Sequence, residues 1–217
     1  MIRLAIFASG EGTNAQRFID YFGTEARTGQ QPAEGGKERI VVSLIVSDNP
    51  AAKVLERAKK AGVPHLIIDC RNNIPDNKIE ASRHVAPMIG SEEFATALAA
   101  KADFIVLAGF LRLVPDTVIR LFPGKIVNIH PALLPKYGGR GMYGNRVHEA
   151  VIANKEKKSG ITIHLVNERY DEGAIIFQKE CEVKEQDTPL TLAVRIHQLE
   201  HGYYPEVVEK FIRSLPS

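Results

Sequence analysis

Charge of one sign, paired cysteines and long apolar runs are all scarce in this chain of 217 residues. Basic and acidic side chains nearly balance, leaving a formal net charge of +2. That is too little to make nucleic acid or an anionic membrane the main partner, so any anion must be held by local geometry. The two cysteines, Cys70 and Cys181, lie far apart, which argues against a disulfide framework or a zinc site and fits a reducing cytoplasm. No apolar run approaches the roughly 20 residues of a membrane-spanning helix. The opening Met-Ile-Arg-Leu-Ala-Ile-Phe-Ala starts a strand at once and is too short for a signal peptide. There is no internal repeat and no sign of a second hydrophobic core.

What is present is ordinary for a globular protein: 44% hydrophobic and 25% charged residues, enough to bury a sizeable core. Apolar runs at Arg3–Ala8, Ile40–Ser47, His65–Ile68, Phe104–Ala108 and Lys125–Ile129 alternate with helical patterns at Asn14–Phe22, Ala51–Ala61, Glu92–Ala100 and Asp116–Leu121. Near-continuous Ile/Val/Leu strands separated by helices predict a mostly parallel, Rossmann-like α/β sheet covered on both faces. A helix around Asn145–Lys157 follows, then strands Gly160–Val166 and Ala174–Val183 as an antiparallel edge pair. The terminal helix Pro189–Ile212 carries Leu192, Ile196, Leu199 and Tyr203 on one face, and Pro205 is expected to bend or divide it. The polar stretch Thr24–Arg39 reads as a mobile surface loop.

Three segments carry chemistry. Asn128-Ile-His-Pro131 closes the fifth strand, and residues two apart on a strand face the same way, so Asn128 and His130 share one site. An amide donor beside a group that titrates near pH 7 suits acyl transfer, one to hold an oxyanion and one to move a proton. A strand-end Asn beside a core His is the plainer alternative. Ser9-Gly-Glu-Gly-Thr-Asn14 joins a strand to a helix, where glycines bring backbone amides close to a phosphate and Thr13 and Asn14 add side-chain donors. The same loop could be a tight turn with Thr13 as the helix cap. As a dinucleotide fingerprint it lacks an acid at the proper distance, Asp48 being the nearest. Asp171-Glu-Gly173 is a turn by composition, but a carboxylate near His130 would favour imidazolium, raise its pKa and hold a water for proton transfer.

Together with Leu107-Ala-Gly-Phe-Leu-Arg-Leu113, Gly160-Ile-Thr-Ile-His164, Asp171–Gln178 and Glu200-His-Gly-Tyr-Tyr-Pro205, these segments resemble the folate-dependent phosphoribosylglycinamide formyltransferases of purine synthesis. The resemblance covers nearly the whole chain. It implies a single formyltransferase domain over 1–217, with 1–110 the phosphate-binding Rossmann-like half and 111–217 the catalytic and folate-binding half. Asn128, His130 and Asp171 take the catalytic positions. Gly12, Thr13 and Asn14 would hold the 5-phosphate of glycinamide ribonucleotide, and Glu200 its glycinamide or ribose end. Leu111, Arg112, Leu113 and Val114, with Asn128, would line the pterin pocket of 10-formyltetrahydrofolate, the co-substrate. No metal is implied, and the implied partners are those two small molecules, in the cytoplasm, on a monomer or a homodimer.

The chain departs from the family's commoner pattern after Tyr137, where Gly-Gly-Arg-Gly-Met-Tyr-Gly-Asn145 replaces a shorter loop beginning Pro-Gly. Arg71–Glu92 does not align where relatives place a folate-contacting Arg, with Arg83 as a substitute candidate. Two other formyl-folate enzymes compete with this reading. One acts on methionyl-tRNA and is expected to carry a further C-terminal domain. The other hydrolyses the folate and is expected to carry an added N-terminal one. An NAD-dependent oxidoreductase or a non-catalytic phosphate-binding module are rivals of other classes.

Overall fold

A computed structural model describes residues 1–25, 38–68 and 88–216. Cys70, Arg83 and nearly all of the Thr24–Arg39 and Arg71–Glu92 segments lie outside the described residues. The strands are β1 (Ile2–Phe7), β2 (Ile40–Ser47), β3 (His65–Ile67), β4 (Phe104–Leu107), β5 (Ile126–His130), β6 (Lys158–Leu165) and β7 (Ile175–Glu182). The helices are α1 (Thr13–Phe22), α2 (Lys53–Ala61), α3 (Glu92–Ala99), α4 (Asp116–Leu121), α5 (Asn145–Ala153) and α6 (Pro189–Ser214). The strands form one sheet in the order β3-β2-β1-β4-β5-β6-β7. The first five are parallel, and β6 pairs antiparallel with both β5 and β7.

Strand alternation divides the core in two. Leu4 and Ile6 of β1 face one side with Phe18, Val54, Ile196 and Tyr204, beneath α1, α2 and α6. Ala5 and Phe7 face the other side with Phe94, Leu98 and Val118, beneath α3 and α4. In β5, Val127 and Ile129 belong to the first side, so Asn128 and His130 point to the opposite one, with Ile126. The chain reverses its direction of travel across the sheet between β1 and β4, and loops leaving their carboxyl ends bound a crevice there, the usual ligand position in an open α/β sheet.

The terminal helix differs from expectation in two respects. It runs unbroken from Pro189 to Ser214 with Pro205 inside it. Its buried stripe passes through Leu192, Ile196, Glu200 and Tyr204, while Leu199 and Tyr203 are only partly covered. Tyr204, fully buried, donates its hydroxyl toward the Leu107 and Val127 carbonyls at 3.0 and 3.1 Å and meets Phe18 edge-on. It thereby fastens α6 to the ends of β4 and β5, and Glu200, one turn earlier, is carried to the crevice.

Candidate active site

A cleft of about 490 Å³ opens at the carboxyl ends of β1, β4 and β5, within the range usual for a small-molecule site. Gly10–Asn14, Leu107–Val114, Asn128–Pro131, Gly139–Arg146 and Asp171 all line it, with His148, His164, His197 and Glu200.

At one end stands the glycine loop. Gly12 caps α1 in the left-handed conformation (φ 69°), and no side chain caps the helix, so Thr13 is not the cap. A Cβ on Gly12 would lie 2.6 Å from Val54, so only glycine brings the loop this close to α2. The helix start therefore presents backbone N–H groups to the cleft, as an anion seat requires. Asn14 differs from expectation. Its Nδ2 donates to Glu200 Oε2 at 2.8 Å, and its Oδ1 is buried with no partner, so only its backbone N–H suits a phosphate. Glu200 is only 5% exposed, so it is no solvated charge on the helix surface. His197 Nδ1 donates to the same Oε2 at 2.9 Å, and that bond raises the His197 pKa. Asp48, the acid a dinucleotide reading wants, is bound to Arg112 Nε at 2.9 Å.

The side of the crevice after β4 is held from two points. Ser9 Oγ accepts from the Leu111 N–H at 3.1 Å, and Asp48 takes Arg112. Leu111 and Leu113 are about half exposed and Val114 is buried, so the segment offers apolar edges and backbone groups to a flat ligand.

Asn128, His130 and Asp171 converge as the sequence predicts. Asp171 Oδ2 lies 3.5 Å from His130 Nδ1, and Asp171 Oδ1 lies 3.5 Å from Asn128 Nδ2. The charge state of His130 departs from expectation. Asp171 pulls its pKa upward, but burial of a ring only 3% exposed outweighs this and leaves it below the ordinary value. His130 Nε2 donates to the Tyr137 carbonyl at 2.7 Å, which fixes the tautomer and leaves Nδ1 as the basic nitrogen beside Asp171. Asp171 itself stays ionised. Although burial works against it, the His164 ring 3.6 Å away, the His130 charge and the Gly139 N–H at 2.9 Å hold its pKa below the usual range. A side chain at Gly138 would meet Leu134 and Asp171, so glycine here lets the loop lie against that carboxylate.

His164 is a further residue of this cluster, beyond those the sequence points to. It stands opposite Asn128 in the β5–β6 pairing. Its Nδ1 donates to the Leu165 carbonyl at 2.8 Å, so its Nε2 accepts from Asn128 Nδ2 at 3.0 Å. The antiparallel register that sets Thr162 opposite His130 sets His164 opposite Asn128, and no local sequence pattern marks it. Cys181 is half-buried and its thiol pKa is raised by burial, which suits a packing residue.

An amide, an imidazole and a carboxylate at one end of a cleft, with a glycine loop opening a helix at the other, are the groups that acyl transfer to a phosphorylated small molecule calls for. The chain belongs to the formyl transferase family, whose model matches residues 2–208. It is 34% identical to the phosphoribosylglycinamide formyltransferase of Bacillus subtilis, over 98% of this chain and 95% of that protein. It is 37% identical to the chloroplastic phosphoribosylglycinamide formyltransferase of Arabidopsis thaliana, over 95% of this chain but only 64% of that longer protein. The crystal structure of glycinamide ribonucleotide transformylase 1 from Geobacillus kaustophilus superposes with a TM-score of 0.74 at 34% identity, over 97% of this chain and 98% of that one.

Proposed function

We propose that this protein transfers the formyl group of 10-formyltetrahydrofolate to the amine of 5-phosphoribosylglycinamide, a step of purine synthesis, as a cytoplasmic enzyme. The observation that carries this reading is the meeting of Asn128, His130 and Asp171 within 3.5 Å contacts, in the same cleft as the glycine loop. The ribonucleotide's phosphate sits on the Gly12, Thr13 and Asn14 amides. Its sugar or glycinamide end reaches Glu200, whose Oε2 is already occupied by Asn14 and His197. The pterin lies along Leu111–Val114. Residues 1–110 then form the phosphate-binding half and 111–217 the catalytic and folate-binding half, with Glu200 reaching across.

The amine attacks the formyl carbon, and the carbonyl electrons move onto oxygen. Asn128 Nδ2 exchanges its bond to His164 for one to that oxyanion, and His130 adds a second donor once Nδ1 is protonated. Asp171 stabilises that imidazolium and orients a water that carries a proton from the amine to the departing folate nitrogen, whereupon the C–N bond breaks. The test is turnover of purified protein with both substrates, followed by absorbance of the deformylated folate, beside a control without acceptor. Acceptor-dependent loss of the formyl group is expected. Loss without acceptor indicates a hydrolase, and no loss in either overturns the reading.

A further inference from the structure

Four imidazoles line the cleft, and the mechanism uses or explains three of them. His130 is bonded to Tyr137, His164 to Leu165 and Asn128, and His197 to Glu200. The fourth, His148 on α5, is 2% exposed, and its Nδ1 is shielded from solvent with no hydrogen-bond partner. A buried polar atom left unpaired in the free protein is costly, and such atoms in a binding cleft mark where a ligand group is to be met. The charged or titratable groups that act on His148 come from both neighbouring elements: His197 and Glu200 on α6, and His130 on β5. It lines the same cleft as the residue proposed to handle the formyl group and the one proposed to hold the ribonucleotide. The second unpaired atom of this wall, Asn14 Oδ1, is an acceptor awaiting a donor.

An incoming amine is that donor. An α-amino group has a pKa of about 7.7–8.0, so near neutral pH it arrives largely as ammonium, which has no lone pair for attack. We propose that His148 is the base that accepts the proton of the acceptor's ammonium and delivers the free amine to the formyl carbon. The N–H bond of the ammonium breaks, its electron pair stays on the amine nitrogen, and the proton is held on the imidazole beside the Glu200 carboxylate until solvent removes it after product leaves. Burial and the neighbouring histidines keep the ring below its ordinary pKa and hence neutral before substrate binds.

This assignment rests on the proposed reaction, and the experiment separates the two. The measurement is kcat/KM for the ribonucleotide from pH 6.5 to 9.5, in the wild type and in His148→Asn, with thermal unfolding as a check on folding. A general base supplies about 10²–10⁴ in rate. The variant is expected to lose about 10²-fold at pH 6.5 and to recover to within about tenfold above pH 9, where the amine is already free. An equal deficit at every pH, or none, overturns the assignment, whereas an inactive wild type overturns the reaction itself. Should His148→Asn fail to fold, nitrogen NMR of the intact protein decides. Adding ribonucleotide and a folate that lacks the formyl group is expected to convert the His148 ring to imidazolium at pH 7.5, and an unchanged ring overturns the proposal.

Discussion

Asp171 occupies the left-handed region with φ 57°, a conformation that costs a non-glycine residue about 1–3 kcal/mol. Tyr137, whose carbonyl fixes the His130 tautomer, does the same with φ 59°. Two such residues on the two backbone segments that grip one imidazole indicate geometry held for chemistry, since glycine would relax either strain but only aspartate supplies the charge. The balance on His130 is the consequence. Burial lowers its pKa and Asp171 raises it, with burial the larger. Asp171→Asn removes the Asp171 contribution only, so the alkaline limb of the pH–rate profile, where the His130 imidazolium is lost, should move to lower pH while kcat falls by about 10²-fold or more. A limb that stays in place, or moves upward, would remove Asp171 from this role.

At the scale of elements, two contacts set the loop after β4. Asp48 directly follows β2 with its side chain 6% exposed and holds Arg112, while Ser9 receives the Leu111 N–H. Neither Asp48 nor Ser9 is proposed to touch the reacting atoms, so weakening the strap should loosen the pterin wall and leave the chemistry alone. Asp48→Asn is expected to raise KM for the folate about five- to tenfold, about 1 kcal/mol of hydrogen bonding to a charged group, with kcat changed less than twofold. A fall in kcat at unchanged KM would contradict this. The elements themselves were legible because buried parallel strands are written as Ile/Val/Leu runs, and β2 and α4 match their predicted bounds. The Asn128–His130 pair was legible because strand alternation is local. His164 was not, because its role depends on which residue stands opposite it across two strands, a register that no local pattern encodes. The burial of Glu200 was not legible because it depends on where Tyr204 anchors α6. The partner of the Asn14 side chain was not legible for a similar reason: its donor is bonded to a residue 186 positions away.

For the whole molecule, the clustering of histidines around the cleft makes stability depend on pH near neutrality. Buried His130 and His148 and the partly buried His201 have folded pKa values below 6.5. In the unfolded chain they take up protons as pH falls through 6.5, whereas in the folded protein they resist until lower pH. The stability they confer is therefore complete above 6.5 and lost progressively below it. His197 works in the opposite sense. Its pKa is raised by Glu200, so its contribution is complete below 6.5 and lost as pH rises through its folded value. The carboxylates of Asp103, Asp171 and Asp187, all held below 3.8, contribute throughout this range and fail only in stronger acid. Among the described residues, three depressed histidines against one raised predict a midpoint of thermal unfolding that falls as pH is lowered from 7.5 to 5.5, measured by scanning calorimetry. His148→Asn should flatten that slope, since it removes one of the buried rings. A midpoint that instead rises over this interval would mean that the His197–Glu200 pair outweighs the three buried rings, and that the cleft is built to be stable when charged.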